Sequence, residues 1–460
     1  MISVTTENQI KRLKNINDAI DSVKKFNNKM RISDDYLPGQ VIYNLGDHPR
    51  KIDMQPTEYD EKILAKYKEL GFGLIQIHAD WVDEHRLYGG DKYNHPNPEG
   101  AKNFVKLCHD NDIKIIPYIS STYLNRFDPA YTPEFQRMES FLVGCYMQLA
   151  INWQGSPKWR EFIYKKTFDT VEKYGFDGVY NDMGHDWFLK HYFDEINTKG
   201  AYSGSITELP YEPEVEDMLA LFYEELKSRG MIYKLHIGTY LDYPSDLKLY
   251  DYLYVGEGVT QLKEIVPHCR NMKPYLVPAF DRRTCEVKDP DTVYAACIPF
   301  VQFPLLYHGR PYLDNSPVVN DKLIWTPTNE FNGNMTNHHY DAVEWLKAHP
   351  GEYTYSEWST IPDDPNELER AGHYLSLYKP MVTRGSTIRT EITEASWLKS
   401  AITEDIYLSM FTNEEQYIVC SNLSDKDYTL VLEDEWTNRE TNQVANAFNV
   451  AKGKIIFLKK

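Results

Sequence analysis

Eight times between residues 39 and 348, a short apolar run is followed by a run with helical periodicity, and this alternation limits the folds open to the chain. The apolar runs are GQVIYNL (39–45), GLIQIHADW (73–81), IKIIPYIS (113–120), FDGVYNDM (176–183), MIYKLHIG (231–238), DYLYVGEG (251–258), KPYLVPAF (273–280) and IPFVQFPLLY (298–307). Helical spacing follows each of them, over 57–70, 97–110, 157–174, 212–229, 243–248, 260–268, 291–297 and 338–348. Strands this continuously apolar are expected where helices cover a parallel sheet. Eight strand–helix units favour a closed (β/α)8 TIM barrel over an open doubly wound sheet. No Gly-rich phosphate loop follows the first strand, which weakens a dinucleotide-binding reading.

The pattern changes near residue 375. Shorter strands separated by turn residues follow: IYLSMFT, QYIVCSNLS, YTLVLE, VANAFNV and KIIFLKK. They predict a small C-terminal antiparallel β-sandwich. Ahead of the barrel, Ile10, Leu13, Ile16, Ile20 and Val23 share one face of an amphipathic helix over 9–27. The expected organisation is an N-terminal helical segment (1–35), the barrel (36–375) and the β-sandwich domain (376–460). A chain of 460 residues, 42% hydrophobic, has the length and apolar content for a large core plus a smaller one.

Sixty-eight acidic against 50 basic residues give a formal charge of −18. Nucleic acids and anionic membranes need a basic surface, so neither is expected as a partner. No apolar run reaches the length of a membrane span. The six cysteines (Cys108, Cys145, Cys269, Cys285, Cys297, Cys420) form no CxxC pair and predict free thiols in a reducing compartment. The N-terminus lacks the apolar stretch and cleavage site of a secretory leader, so a cytoplasmic location is expected.

In a TIM barrel the reacting groups sit at the C-terminal ends of the strands and in the loops that follow. Those loops are long here, over 82–97, 121–156, 184–211 and 308–335, which suits a deep, walled site for a short substrate. Reading the strand ends collects Asp47, His78, Asp80, Tyr118, Asp182, His236, Glu257, Asp281 and His308. Trp81, His185 and Arg282 adjoin these positions. A pair of carboxyl groups is what glycosidic cleavage requires: one at the anomeric carbon, one to protonate the leaving oxygen.

Asp182 is the strongest candidate. Asp177 and Asp182 lie an odd number of positions apart and so point to opposite sides of their strand. Asp177 is at the N-terminal end, where carboxylates more often cap turns. Asp182 is at the end where a reacting group belongs, although capping of the next segment is the plainer alternative. Glu257 lies between Gly256 and Gly258, which allow close backbone approach to a ligand; the plainer alternative is a turn Glu facing solvent.

His78 and Asp80 share a strand face. With His236 and Asp281 they could ligate a metal, but no close His–x–His spacing supports that, so sugar contact is expected and no metal. Asp281 precedes Arg282 and Arg283 and could contact substrate or pair with either arginine. Trp81, Tyr88, Tyr93, Trp153, Trp187, Tyr240 and Tyr307 fall in or near the active-face loops. Such rings can stack on sugars, or simply pack the loops.

Three motifs carry a resemblance: DPA–TPEF over 128–135, CHDNDIKIIPY (108–118) and GFDGVYND (175–182). They resemble the barrel glycosidases related to the alpha-amylase clan and to alpha-galactosidases, over roughly residues 40–310. The trailing YIVCSNLSDKDYTLVL and GKIIFLKK are similar to the C-terminal domain of such enzymes. The chain departs from the pattern at Asn111-Asp112, where Gly is usual, and its fifth strand ends in HIGTY without a carboxylate.

The resemblance implies a glycoside hydrolase acting on an α-linked carbohydrate without a cofactor. Asp182 would be the nucleophile and Glu257 the acid/base, with retention of configuration. The strand-end positions and their neighbours, not the resemblance, give the expected substrate-binding set of Asp47, His78, Asp80, Trp81, Tyr118, His185, His236, Asp281, Arg282 and His308. In a subset of related barrels a substrate acetamido group attacks instead, and Asp182 would then only polarise it. The alternatives are a non-catalytic carbohydrate-binding barrel and a metal-dependent hydrolase.

Overall fold

A computed structural model describes residues 29–32, 36–45, 53–77, 81, 95, 97–125, 130–142, 149–152, 156–182, 213–236, 249–255, 262, 276–278, 289–310 and 364–460. Eight parallel strands form one sheet: β1 (Gln40–Asn44), β2 (Leu74–Ile77), β3 (Lys114–Ile119), β4 (Gly178–Asp182), β5 (Ile232–His236), β6 (Tyr252–Val255), β7 (Leu276–Pro278) and β8 (Leu306–Gly309). Their spatial order is β7-β6-β5-β4-β3-β2-β1-β8. Contacts across the interior show the sheet curling round on itself. Lys234 Nζ on β5 donates to Gln40 Oε1 on β1 at 3.1 Å, and the hydroxyls of Tyr254 on β6 and Tyr307 on β8 meet at 2.8 Å. This is the expected barrel.

The last strand starts later than its apolar run. Ile298–Phe300 form a 3-10 turn and Val301 takes a left-handed φ of 64°, so β8 begins only at Leu306.

Local signals explain the covering helices. In α1 (Glu58–Leu70), Thr57 and Asp60 form a reciprocal capping box. Asn97 caps α2 (Pro98–Asp110) and Ser156 caps α3 (Pro157–Tyr174), each with proline in the first turn. Ala101, Phe104, Val105 and Cys108 are the buried stripe of α2; Trp159, Ile163 and Val171 bury the matching stripe of α3. Next come α4 (Pro213–Ser228), α5 (Asp291–Cys297) and α6 (Glu367–Tyr378). The loop after β3 carries a small antiparallel sheet of Tyr123–Asn125, Gln136–Leu142 and Leu149–Asn152.

Register fixes which side chains enter the barrel. Laterally paired residues of parallel strands point to the same face, so the pairs Tyr118↔Tyr180, Asp182↔His236 and Tyr254↔His236 place all five side chains on one face. Gln40, Gln76, Lys234 and Tyr307 follow the same parity. Gly178 makes the close approach of β4 to β5 possible. Its φ is 154°, and a Cβ there would lie 2.0 Å from the Ile232 carbonyl oxygen.

The C-terminal strands are β9 (Thr387–Arg389), β10 (Ile406–Thr412), β11 (Gln416–Asn422), β12 (Tyr428–Asn438), β13 (Val444–Val450) and β14 (Ile455–Lys459). They form one antiparallel sheet in the order β9-β10-β11-β14-β12-β13. A seventh strand, Lys29–Arg31, pairs with β9. This strand falls within the stretch expected to be helical, while the helix expected at 9–27 lies outside the described residues.

The sheet packs against the barrel on one face. Tyr374 of α6 stacks on Tyr294 of α5 at 4.2 Å and touches Phe457, and Ser409 Oγ donates to the Pro299 carbonyl at 2.6 Å. A second core closes around Leu408, Ile418, Leu430, Trp436, Phe448 and Leu458. The bulge in β12 between Val431 and Trp436 lets one strand serve both neighbours. The expected boundary at 375/376 falls inside α6, which belongs to the barrel core through Leu375 and to the sheet through Tyr374.

Candidate active site

The end of β4 is held by its neighbour before any chemistry is considered. β3 and β4 pair over only two residues, and side chains extend the seam. Ser120 Oγ donates to the Asp182 carbonyl at 2.7 Å, Ser121 N to Asn181 Oδ1 at 2.9 Å, and Asn181 Nδ2 to Ser121 Oγ and the Tyr233 hydroxyl. Two indoles anchor the same corner from outside: Trp159 Nε1 donates to the Ser121 carbonyl at 2.8 Å and Trp81 Nε1 to the Tyr118 carbonyl at 3.0 Å. These backbone and side-chain groups are therefore engaged, as a rigid strand end requires.

On this support Asp182 faces the interior, nine-tenths buried. The Tyr118 hydroxyl donates to Oδ2 at 2.7 Å, and His236 Nδ1 lies 3.3 Å from Oδ1. Tyr180 and Tyr254 wall the histidine: the Tyr180 ring stacks at 6.3 Å and the Tyr254 ring meets it edge-on at 4.7 Å. Tyr118 in turn meets Tyr180 at 5.5 Å. Among the described residues a single carboxylate thus stands amid aromatic side chains at the C-terminal ends of strands, with a phenol on one oxygen and an imidazole beside the other.

Beneath these side chains lies Lys234, fully buried, with Nζ 5.9 Å from the Tyr180 ring centre and 5.8 Å from that of Tyr254. Burial pushes its amine well below the usual lysine range. Gln76 is also fully buried on the interior face, and neither of its amide atoms finds a hydrogen-bond partner among the described residues.

Of the twelve residues expected at the site, five are described. Tyr118, Asp182 and His236 come together. Trp81 does not offer a face to a ligand: it is fully buried, stacked at 6.2 Å on His95 and edge-on to Tyr174 and Phe176. Its indole reaches the site through the Tyr118 carbonyl. His308 lies on the other side of its strand. Its neighbour Tyr307 points inward, so His308 points to the helical layer, where the Tyr67 hydroxyl meets Nδ1 at 2.6 Å. Asp47, His78, Asp80, His185, Glu257, Asp281 and Arg282 lie outside the described residues.

Asp177 plays the structural part expected of it, its Oδ2 accepting from the Ile115 amide at 2.8 Å and meeting His109 Nε2 at 2.8 Å. Asp112 stands where the resembling motifs carry glycine, and it takes the left-handed conformation (φ 57°) that glycine would supply. Cys108, Cys297 and Cys420 are buried and unbridged. Among the described residues no helix is long and apolar enough to cross a membrane, and no group of three His, Cys, Asp or Glu is placed to hold a metal ion.

His308 carries a measurable consequence. Burial lowers its pKa to about 4, against about 6.5 for a free histidine. Both folded and unfolded states are neutral there above pH 6.5. Between 6.5 and 4 only the unfolded state takes up the proton, so stability falls with pH by up to about 3 kcal/mol. His308→Asn keeps an acceptor for Tyr67 but cannot be protonated. Urea unfolding of this variant is expected to show a shallower loss of stability between pH 6.5 and 4; an unchanged slope contradicts the assignment.

Solved structures resemble the chain over nearly its whole length. An alpha-amylase from Geobacillus thermoleovorans, complexed with acarbose, superposes with a TM-score of 0.56 at 12% identity, covering 94% of this chain and 99% of the amylase. A maltogenic alpha-amylase from Thermotoga neapolitana gives 0.55 at 12%, covering 92% and 97%. An alpha-galactosidase from Geobacillus stearothermophilus gives 0.53 at 11%, covering 93% of this chain and 56% of the galactosidase.

The chain shares the fold of these proteins.

At such identities the likeness concerns the backbone. No protein-family model matches the sequence, and no curated protein matches it. Within the shared fold, the strand-end list missed Tyr254 and Lys234. Period-two alternation was the available signal: Lys234 lies two positions before His236 on the same face. Tyr254 could be placed only through the β5–β6 register.

Proposed function

We propose that this chain is a glycoside hydrolase whose nucleophile is Asp182. One observation carries the reading. A carboxylate at the C-terminal end of β4 is turned into the barrel and oriented by Tyr118, inside a ring of aromatic side chains. A hydroxyl donor on one oxygen disfavours protonation of the carboxylate and fixes its rotation, as a nucleophile at an anomeric carbon needs. Sugars are the chemistry that suits a carboxylate among rings. The fold shared with alpha-amylases and an alpha-galactosidase supports an α-linked substrate.

In the proposed course Asp182 attacks the anomeric carbon while Glu257 protonates the leaving oxygen. Water then hydrolyses the glycosyl-enzyme with Glu257 as base, and configuration is retained. Glu257 holds this role on its place after β6 in the sequence. Tyr118 is a positioning residue, since its hydroxyl reaches Asp182 rather than open space.

The test is hydrolysis of a panel of aryl α- and β-glycosides and oligosaccharides, with the product anomer followed by NMR. Retained α-configured product is expected. Sugar binding without turnover would support the non-catalytic alternative, and activity lost on chelation would support a metal-dependent one. Tyr118→Phe should lower kcat by roughly 10- to 100-fold with little change in KM, because it removes one charge-assisted hydrogen bond of about 1.5–3 kcal/mol. An unchanged kcat would remove Tyr118 from the account.

A further inference from the structure

The fifth strand ends in a histidine rather than a carboxylate, and the structure gives that histidine a place. His236 Nδ1 lies 3.3 Å from Asp182 Oδ1, and the β4–β5 register pairs the two residues directly. Both side chains are nearly buried, at 6% and 12% exposure, so solvent screens the pair little. We propose that His236 is a positioning residue whose imidazolium pairs with Asp182 and keeps that carboxylate ionised for attack. The inference rests on the proposed role of Asp182 but concerns a property of the pair that can be measured without turnover.

Three features support it beyond distance. A nitrogen, rather than a carbon edge of the ring, meets the carboxylate. The ring packs against Tyr180 and Tyr254, which neighbour one another at 5.4 Å and restrict its movement on that side. Tyr118 holds the other carboxylate oxygen, so the carboxylate cannot rotate away from the histidine without losing a 2.7 Å hydrogen bond.

The groups facing His236 among the described residues are the Asp182 carboxylate from β4, the Tyr180 phenol from β4 and the Tyr254 phenol from β6. The Lys234 amine lies behind the same two rings on β5. Burial drives that amine toward its neutral form, so among the described residues Asp182 is the charge beside the histidine. An opposite charge at this distance shifts a pKa by roughly 1–3 units. A plain packing role for His236 would involve no such coupling.

The experiment is an NMR titration of the histidine imidazoles in the full chain and in Asp182→Asn, with the His236 resonance assigned by its loss in His236→Gln. The pKa of His236 is expected to fall by at least about one unit in Asp182→Asn. The same value in both proteins overturns the proposal, whatever the activity. A second readout uses the aryl glycoside turned over best. In His236→Gln the acid limb of kcat/KM is expected to move upward by about one unit, because Asp182 loses the charge that keeps it ionised. An acid limb that stays in place counts against the positioning role. Coupling seen by NMR together with full turnover in Asp182→Asn would leave the pair intact and reject the nucleophile instead.

Discussion

Asp182→Asn is expected to abolish turnover, with kcat falling on the order of 10⁴-fold or more while the affinity for a bound sugar changes little. The amide is nearly isosteric, and its oxygen can still accept from the Tyr118 hydroxyl, so the fold should survive. What is lost is the negative charge that attacks the anomeric carbon. Steady-state kinetics beside isothermal titration with a product sugar separates the two effects. Undiminished kcat would reject Asp182 as nucleophile. A loss of binding equal to the loss of rate would mean that the residue only holds substrate.

The largest stability effect is expected at Arg310, the residue after β8. Its guanidinium meets Asp60 through Nη2 at 2.7 Å and Nε at 3.0 Å, and donates to the carbonyls of Leu45, Asp53 and Gln55. Asp60 is fully buried, accepts from Tyr43 and the Thr57 amide, and caps α1. Burial alone would raise this carboxyl, but Arg310, Tyr43 and Thr57 together hold it below the usual range. One arginine therefore ties the last strand to the chain leaving the first, at the face where the site lies.

Arg310→Ala would leave a buried carboxylate without its cation, a cost of about 3–5 kcal/mol. For a chain this long, that is expected as a fall of roughly 3–5 °C in apparent melting temperature. Arg310→Lys should recover only part of the loss, because an ammonium cannot make the forked contact. A melting temperature within a degree of the parent in Arg310→Ala would contradict this account of the seam.

The barrel was legible because its strands are apolar runs of the right length in the right order, and the strand-four motif carried its own direction. Asp177 and Asp182 could be told apart by parity and by which end of the strand each occupies. Lateral register was not legible. His308 reads as a strand-end ligand because it follows the apolar run, but Tyr307 takes the inward position and turns His308 to the helical layer. Trp81 follows its strand closely, yet burial against His95, Tyr174 and Phe176 won over exposure. Tyr254 entered the site only through its pairing with His236, and Lys29–Arg31 entered the C-terminal sheet through a partner near the other end of the chain. Such long-range pairings leave no mark in local periodicity.

The central claim is that Asp182 becomes bonded to sugar during turnover. Trapping tests it most directly: incubation with a panel of fluorinated glycosyl fluorides that slow the second step, followed by peptide mapping with mass spectrometry. The account predicts one glycosyl adduct, on the peptide containing Asp182 and absent in Asp182→Asn. An adduct on another carboxylate, or none in a protein that hydrolyses the matching aryl glycoside, would contradict it.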